Sequence, residues 1–141
     1  MKLVIATPTA IAVNEDDVNY VRAEDSSGAF GIQPGHADLL SALSISVIVW
    51  RNFRGEERYA AIRGGALRVR GGKSVEIATR EAVLGDDLER LREVVVGEMR
   101  KDAQVEQAAR VGVLGLEQAA IRQIYRYLQP GDQSAATPAR K

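Results

Sequence analysis

The sequence predicts an α+β fold with its two kinds of structure segregated along the chain, a run of strands followed by a helical pair. Three observations carry this. Over the first 80 residues, short apolar runs recur every 8–12 residues between turn residues, the pattern of a sandwich or barrel. From residue 86 the apolar spacing changes to 3 and 4, the period of one helix face. Gln129-Pro130-Gly131 then ends the helical pattern, and small polar residues follow.

Strands are expected at Lys2–Ala6, Ala10–Val13, Val18–Ala23, Gly28–Ile32, Ile45–Trp50, Arg58–Ile62, Ala66–Arg70 and Ser74–Thr79. Leu67 and Val69 alternate with Arg68 and Arg70, so that strand has one dry face and one wet face. Val75, Ile77 and Thr79 alternate in the same way with Glu76 and Ala78. Gly71-Gly72 between them is a two-residue hairpin turn, because glycine accepts the positive φ such turns require. Asn52–Gly55 turns a longer hairpin, and Pro34-Gly35 fits a type II turn. Asp86 is the expected helix N-cap, with Glu89 three residues on as a capping-box acid. Leu88, Leu91, Val95 and Met99 then share one face. A second stripe runs through Ala109, Val113, Leu116, Ala120, Ile124 and Tyr127. The two stripes fall out of phase near Asp102–Val105, which is where a break between two helices is expected; one long helix is the alternative.

Composition removes several classes of function. The 141 residues carry 19 Lys plus Arg and 19 Asp plus Glu, so the surplus of positive charge that nucleic-acid binding needs is missing. There is no Cys, which excludes disulfides, thiolate metal sites and Cys nucleophiles. The single His, His36, excludes His-rich metal sites. The longest apolar run, Val47–Trp50, is far short of the roughly 20 residues that span a bilayer. No signal peptide is read at the N-terminus, so a soluble protein with no metal and no cofactor is expected.

The candidate chemistry is thin. Gly72-Lys73-Ser74 resembles the end of a phosphate-binding loop, but Leu67 stands where the motif needs glycine, and the segment joins two strands rather than a strand and a helix. A triad would have to combine His36 with Asp38 and Ser26, Ser27 or Ser41, without a nucleophile elbow or a Gly-rich oxyanion loop. A turn histidine bonded to backbone is the better reading, so no catalytic residue is assigned. Arg110, Arg122 and Arg126 give the second helix a basic side. An ordinary solvated face is the simpler account, and docking to an acidic partner surface is the sharper one.

The run Ser27-Gly28-Ala29-Phe30-Gly31-Ile32-Gln33-Pro34-Gly35-His36-Ala37-Asp38-Leu39-Leu40 resembles the G-E-[FL]-G-I-[LY]-P-G-H-A-P-L-L signature of the F-type ATP synthase epsilon subunit. Gly64-Gly65-Ala66-Leu67-Arg68-Val69 resembles that family's S-G-G-[FI]-L-E-V strand. The likeness covers about residues 1–128 in order.

The resemblance implies an N-terminal β-sandwich of about ten strands at 1–84, a C-terminal antiparallel helix hairpin at 85–129 and a disordered tail at 130–141. It implies a non-catalytic central-stalk subunit that couples the gamma shaft to the c-ring and inhibits ATP hydrolysis through its C-terminal helices. Those helices, when extended, would reach the catalytic beta subunit. The protein would lie at the cytoplasmic face of the bacterial inner membrane, peripheral and attached only through the complex. Residue by residue, the c-ring contact falls on Ser26, Ser27, Gly28, Ala29, Phe30 and Gly31, with His36 close by. Pro34, Gly35, Gly64 and Gly65 fall on structural turns. Some members bind ATP through [IL]-D-x-x-R-A, which makes a regulatory nucleotide-binding module the second reading. Here Leu88 and Arg92 are kept, but Glu89 replaces Asp and Glu93 replaces Ala, and an added carboxylate beside triphosphate is repulsive. With Val94, Val95 and Val96 in place of an alanine-rich helix, the chain reads as a divergent branch, of the kind serving an alternative, sodium-translocating synthase.

Overall fold

The computed structural model describes residues 1–110. Its strands are β1 (Lys2–Ala6), β2 (Ile11–Glu15), β3 (Val18–Asp25), β4 (Gly28–Ile32), β5 (Leu39–Asn52), β6 (Glu57–Arg70), β7 (Ser74–Ala78) and β8 (Ala82–Gly85). They hydrogen-bond in the order β2-β1-β7-β6-β5-β3-β4, with β8 also on β6. All neighbours are antiparallel except β1 and β7.

Two long strands make this one sheet into two layers. β5 and β6 have 14 residues each and pair from Leu39↔Val69 to Arg51↔Glu57. The first half of β6 pairs with β8 and its second half with β7. The core lies between the layers: Leu3, Ile5, Leu67, Val69, Val75 and Ile77 from one side meet Val18, Val21, Ile32, Ile48, Trp50 and Ile62 from the other. Among the described residues the Trp50 indole N–H finds no partner, a cost of about 1–3 kcal/mol set against the burial of the ring.

Gly64 and Gly65 were expected at a turn, but they lie inside β6. Their φ values of +68° and +124° bend the strand, so a single segment serves both layers. This merges the expected strands Arg58–Ile62 and Ala66–Arg70. The described residues hold eight strands where about ten were expected, and one of the eight, β8, was not expected from the sequence. Asn52–Gly55 and Pro34-Gly35 turn as read, whereas the Gly71-Gly72 hairpin takes Lys73 as a third loop residue, since Arg70 pairs with Ser74. Asn52 Oδ1 accepts from the amides of Arg54 and Glu56, and Gly55 N–H donates to Asn52 O at 3.0 Å. Gly71 and Gly72 both take positive φ between β6 and β7.

The helical segment differs from expectation in three ways. Asp87, not Asp86, is the N-cap: its carboxylate accepts from the amides of Glu89 and Arg90. The first turn, α1 (Leu88–Arg90), passes into a five-residue π-turn, Leu91–Val95, in which Val96 N–H donates to Leu91 O. The widened turn puts one extra residue between contacts, so Leu91, Val96 and Met99 are buried and Val95 is only half-buried. β-Branched side chains are crowded in an α-turn, and three in succession at 94–96 make this the place where widening costs least. The helix then continues through 96–110 with no break at 102–105.

Leu91, Val96 and Met99 close over Val47, Val49 and Ala61, the outward residues of β5 and β6. That is why Val47–Trp50 is apolar without alternation: both faces of β5 are covered. Residues 1–101 form one compact unit, and a second begins at Asp102. Arg122 and Arg126, the second stripe beyond Arg110 and the tail at 130–141 lie outside the described residues.

Candidate functional site

The expected contact loop is the tip of the β3–β4 hairpin. Ser26 and Ser27 turn it, and Gly28 leaves it at φ +125°. Asp25 closes the tip: Oδ1 accepts from Ser27 N–H at 2.8 Å and Ser27 Oγ–H at 2.6 Å, and Oδ2 accepts from Ser41 Oγ–H of β5 at 3.2 Å. The Ser27 hydroxyl, then its amide, hold the Asp25 carboxyl below its ordinary value of 3.8. A depressed carboxylate pKa stabilises the tip above that ordinary value, and the contribution is lost as pH falls through the folded one. An NMR titration of Asp25 is expected to place its midpoint below 3.8; a midpoint at or above it would refute the clasp. Ser26, Ser27, Gly28, Ala29 and Gly31 are exposed, whereas Phe30 turns its ring onto the core and is half-buried.

The Gln33–His36 turn follows β4. His36 N–H donates to Gln33 O at 3.1 Å, with Gly35 at φ +89°. Gly35 N–H donates to Gly72 O at 2.8 Å, and Asp38 Oδ1 accepts from Gly71 N–H at 2.8 Å. The approach is close enough that a Cβ on Gly72 would fall 2.6 Å from Gly35 Cα. Hairpin tip and turn thus converge on the start of β5, through Ser41 for one and Asp38 for the other. His36 Nδ1 lies 2.6 Å from Ala37 O, so Nδ1 carries the proton as a donor to backbone. Among the described residues no hydroxyl or carboxylate is bonded to His36, and the triad parts do not meet.

Tyr20 belongs to this region and was not anticipated. A shallow hollow is lined by Tyr20, Gly31, Gln33, Pro34, Gly35 and His36. The Tyr20 ring covers Gly31 so closely that a Cβ there would sit 2.7 Å from Tyr20 Cε1, and the Arg51 guanidinium stacks 5.0 Å from the ring centre. The absence of a side chain at Gly31 was the only signal in the sequence.

The expected nucleotide residues separate. Leu88 packs against the cluster under the helix, and Glu89 is exposed beside the cap. Arg92 instead faces a hollow with Arg22 and Arg100, whose guanidinium donates to Ile45 O at 3.3 Å.

A second feature was hidden in the sequence. Val4, Ala6, Leu40, Ala66 and Ala78 occupy outward positions where alternation calls for polar side chains, and they form a shallow apolar groove across β1, β7, β6 and β5. Leu40 is 75% exposed in it, the highest value among the large apolar residues described. The signal was Leu3-Val4-Ile5-Ala6, apolar on both phases of one strand.

Residues 1–85 match the family model for the ATP synthase delta/epsilon chain beta-sandwich domain. The "ATP synthase epsilon chain 2" of Paraburkholderia xenovorans is 41% identical over 92% of this chain and 94% of its own. The chain belongs to the ATP synthase epsilon-chain family. A second "epsilon chain 2", from Cereibacter sphaeroides, is 40% identical over 91% of this chain and 88% of its own. In the Euglena gracilis mitochondrial ATP synthase, one chain has the same fold at a TM-score of 0.56 and 23% identity, covering 63% of this chain and 57% of that one. In the Tetrahymena thermophila mitochondrial ATP synthase central stalk and c-ring, another does so at 0.54 and 16%, covering 73% and 90%. An epsilon chain is a non-catalytic subunit, in keeping with a His36 that only braces a turn. No described helix of this epsilon chain is long and apolar enough to cross a membrane.

Proposed function

We propose that this epsilon chain, a central-stalk subunit of a rotary F-type ATP synthase, seats the gamma shaft in the apolar groove of β1, β7, β6 and β5. The single observation that carries this is the asymmetry of the sandwich. One outer face is covered by Leu91, Val96 and Met99, while the other presents apolar outward residues that no described residue covers. An outward face of apolar and small side chains without cover is where a partner surface can pack. The exposed tip from Ser26 to Gly31, with His36 beside the start of β5, is the c-ring contact. The Asp25 and Asp38 clasps give that contact the stiffness torque transfer needs. The C-terminal segment at 85–129 is the arm that inhibits hydrolysis, with Arg110, Arg122 and Arg126 meeting the catalytic beta subunit when the arm is extended. The subunit works at the cytoplasmic face of a bacterial inner membrane, held there by the complex.

A Leu40→Asp variant tests the docking face. The side chain is exposed, so the fold is expected to stand, while replacing apolar contact with a charged side chain opposite Arg68 on β6 weakens binding to gamma by about tenfold or more. Binding of the purified variant to isolated gamma, measured by calorimetry, reads this directly. Wild-type affinity would move gamma to another face.

A further inference from the structure

We propose that the Arg68–Glu76–Arg70 cluster at the rim of the apolar groove selects which gamma subunit this chain accepts, by requiring an acidic side chain beside the apolar strip of the shaft. The proposal rests on the reading of the groove as the gamma seat. An apolar face by itself discriminates poorly, since any apolar helix of suitable shape fits it, and specificity needs an element that penalises the wrong partner. Among the described residues, the charged ones lining this groove are Arg68 and Glu76. They sit directly opposite each other on β6 and β7. Arg68 gives Glu76 Oε1 two bonds, from Nε at 2.9 Å and Nη2 at 2.6 Å, and Arg70 Nη2 reaches Oε2 at 3.4 Å. Bonding to Arg68 first, and to Arg70 as well, holds the Glu76 carboxyl below its ordinary 4.5, so it stays ionised at neutral pH.

Two guanidinium groups therefore share the Glu76 carboxylate, and the next carboxylate along, Asp38, is engaged by the Gly71 amide, which leaves donors of Arg70 as the surplus at the rim. Arg70 holds its bond at the long limit and is 58% exposed, so its remaining donors are free to turn to a partner. A carboxylate on gamma completes the cluster as it is desolvated. A neutral surface leaves the surplus charge unpaired, and a basic one adds repulsion, so both are rejected. Where a cell holds two epsilon chains, such a rim keeps each with its own shaft.

The test uses the full chain and the gamma subunit encoded with it. Arg70→Glu reverses the surplus while leaving the Arg68–Glu76 pair in place, and Arg70→Lys keeps the charge. Arg70→Glu is expected to weaken gamma binding by about tenfold or more, with Arg70→Lys within about threefold. Gamma variants with single Asp or Glu residues changed to Lys are expected to include one that restores binding to Arg70→Glu alone. If Arg70→Glu binds like wild type while Leu40→Asp does not, the groove is the seat and the selector is wrong. If neither variant changes binding, both readings fail. If both weaken binding but no gamma variant rescues, the charge acts without a matching acid, and the proposal is overturned.

Discussion

Replacing Gly65 by alanine is expected to destabilise the sandwich by more than about 4 kcal/mol, the exceptional range for one substitution. Gly65 sits at φ +124°, a conformation that costs other residues about 1–3 kcal/mol. The larger effect is steric: a Cβ there would overlap the carbonyl oxygen of Ala78, on the strand paired with β6. Neither backbone can retreat without opening the β6–β7 ladder, and with it the contact of Leu67 and Val69 with Ile77 and Val75. Two neighbours calibrate the result. Gly64→Ala, at φ +68° with Leu43 O 3.1 Å away, is expected to cost about 1–3 kcal/mol. Gly97→Ala, in open helical space, is expected to stabilise by about 1 kcal/mol. Urea midpoints for the three variants check the order. A Gly65→Ala protein within about 1 kcal/mol of wild type would mean that β6 does not bend through this contact.

A chain ending at residue 101 is expected to keep the stability of the sandwich, whereas one ending at residue 85 loses about 3 kcal/mol and self-associates. The second cut removes Leu91, Val96 and Met99 and bares Val47, Val49 and Ala61. Each buried side chain contributes about 1.5–3 kcal/mol gross, and ordering the helical turns offsets part of the sum. Thermal unfolding and gel filtration of the two chains measure the difference. Equal midpoints and monomers in both cases would show that residues 86–101 are not bound to the sheet. Loss of 102–141 from the assembled synthase is expected to raise ATP hydrolysis; unchanged hydrolysis would remove the inhibitory role.

The parts of this protein legible in its sequence are those encoded within a few residues. The alternation at Leu67–Arg70 and Val75–Ala78 fixes which side of each strand is dry, whatever lies beyond it. Gly71-Gly72, Asn52–Gly55 and Pro34-Gly35 carry their turns in their own φ preferences and short hydrogen bonds. The Ser26-Ser27 turn, lying between two expected strands, was readable for the same reason.

What the tertiary structure decided is how these pieces meet. Gly64-Gly65 has the composition of a turn, and only the pairing of β6 with β5, β7 and β8 makes it a bend inside a strand. The stripe Leu91, Val95, Met99 obeys an α-helical period, yet a π-turn carries Val96 into the contact in place of Val95, a phase set by the sheet beneath. Likewise Val47 and Val4 are both outward apolar residues on strands, and nothing local tells them apart. One is covered by the helix and the other stays half-exposed, because coverage depends on neighbours distant in the chain, and local periodicity carries no record of them.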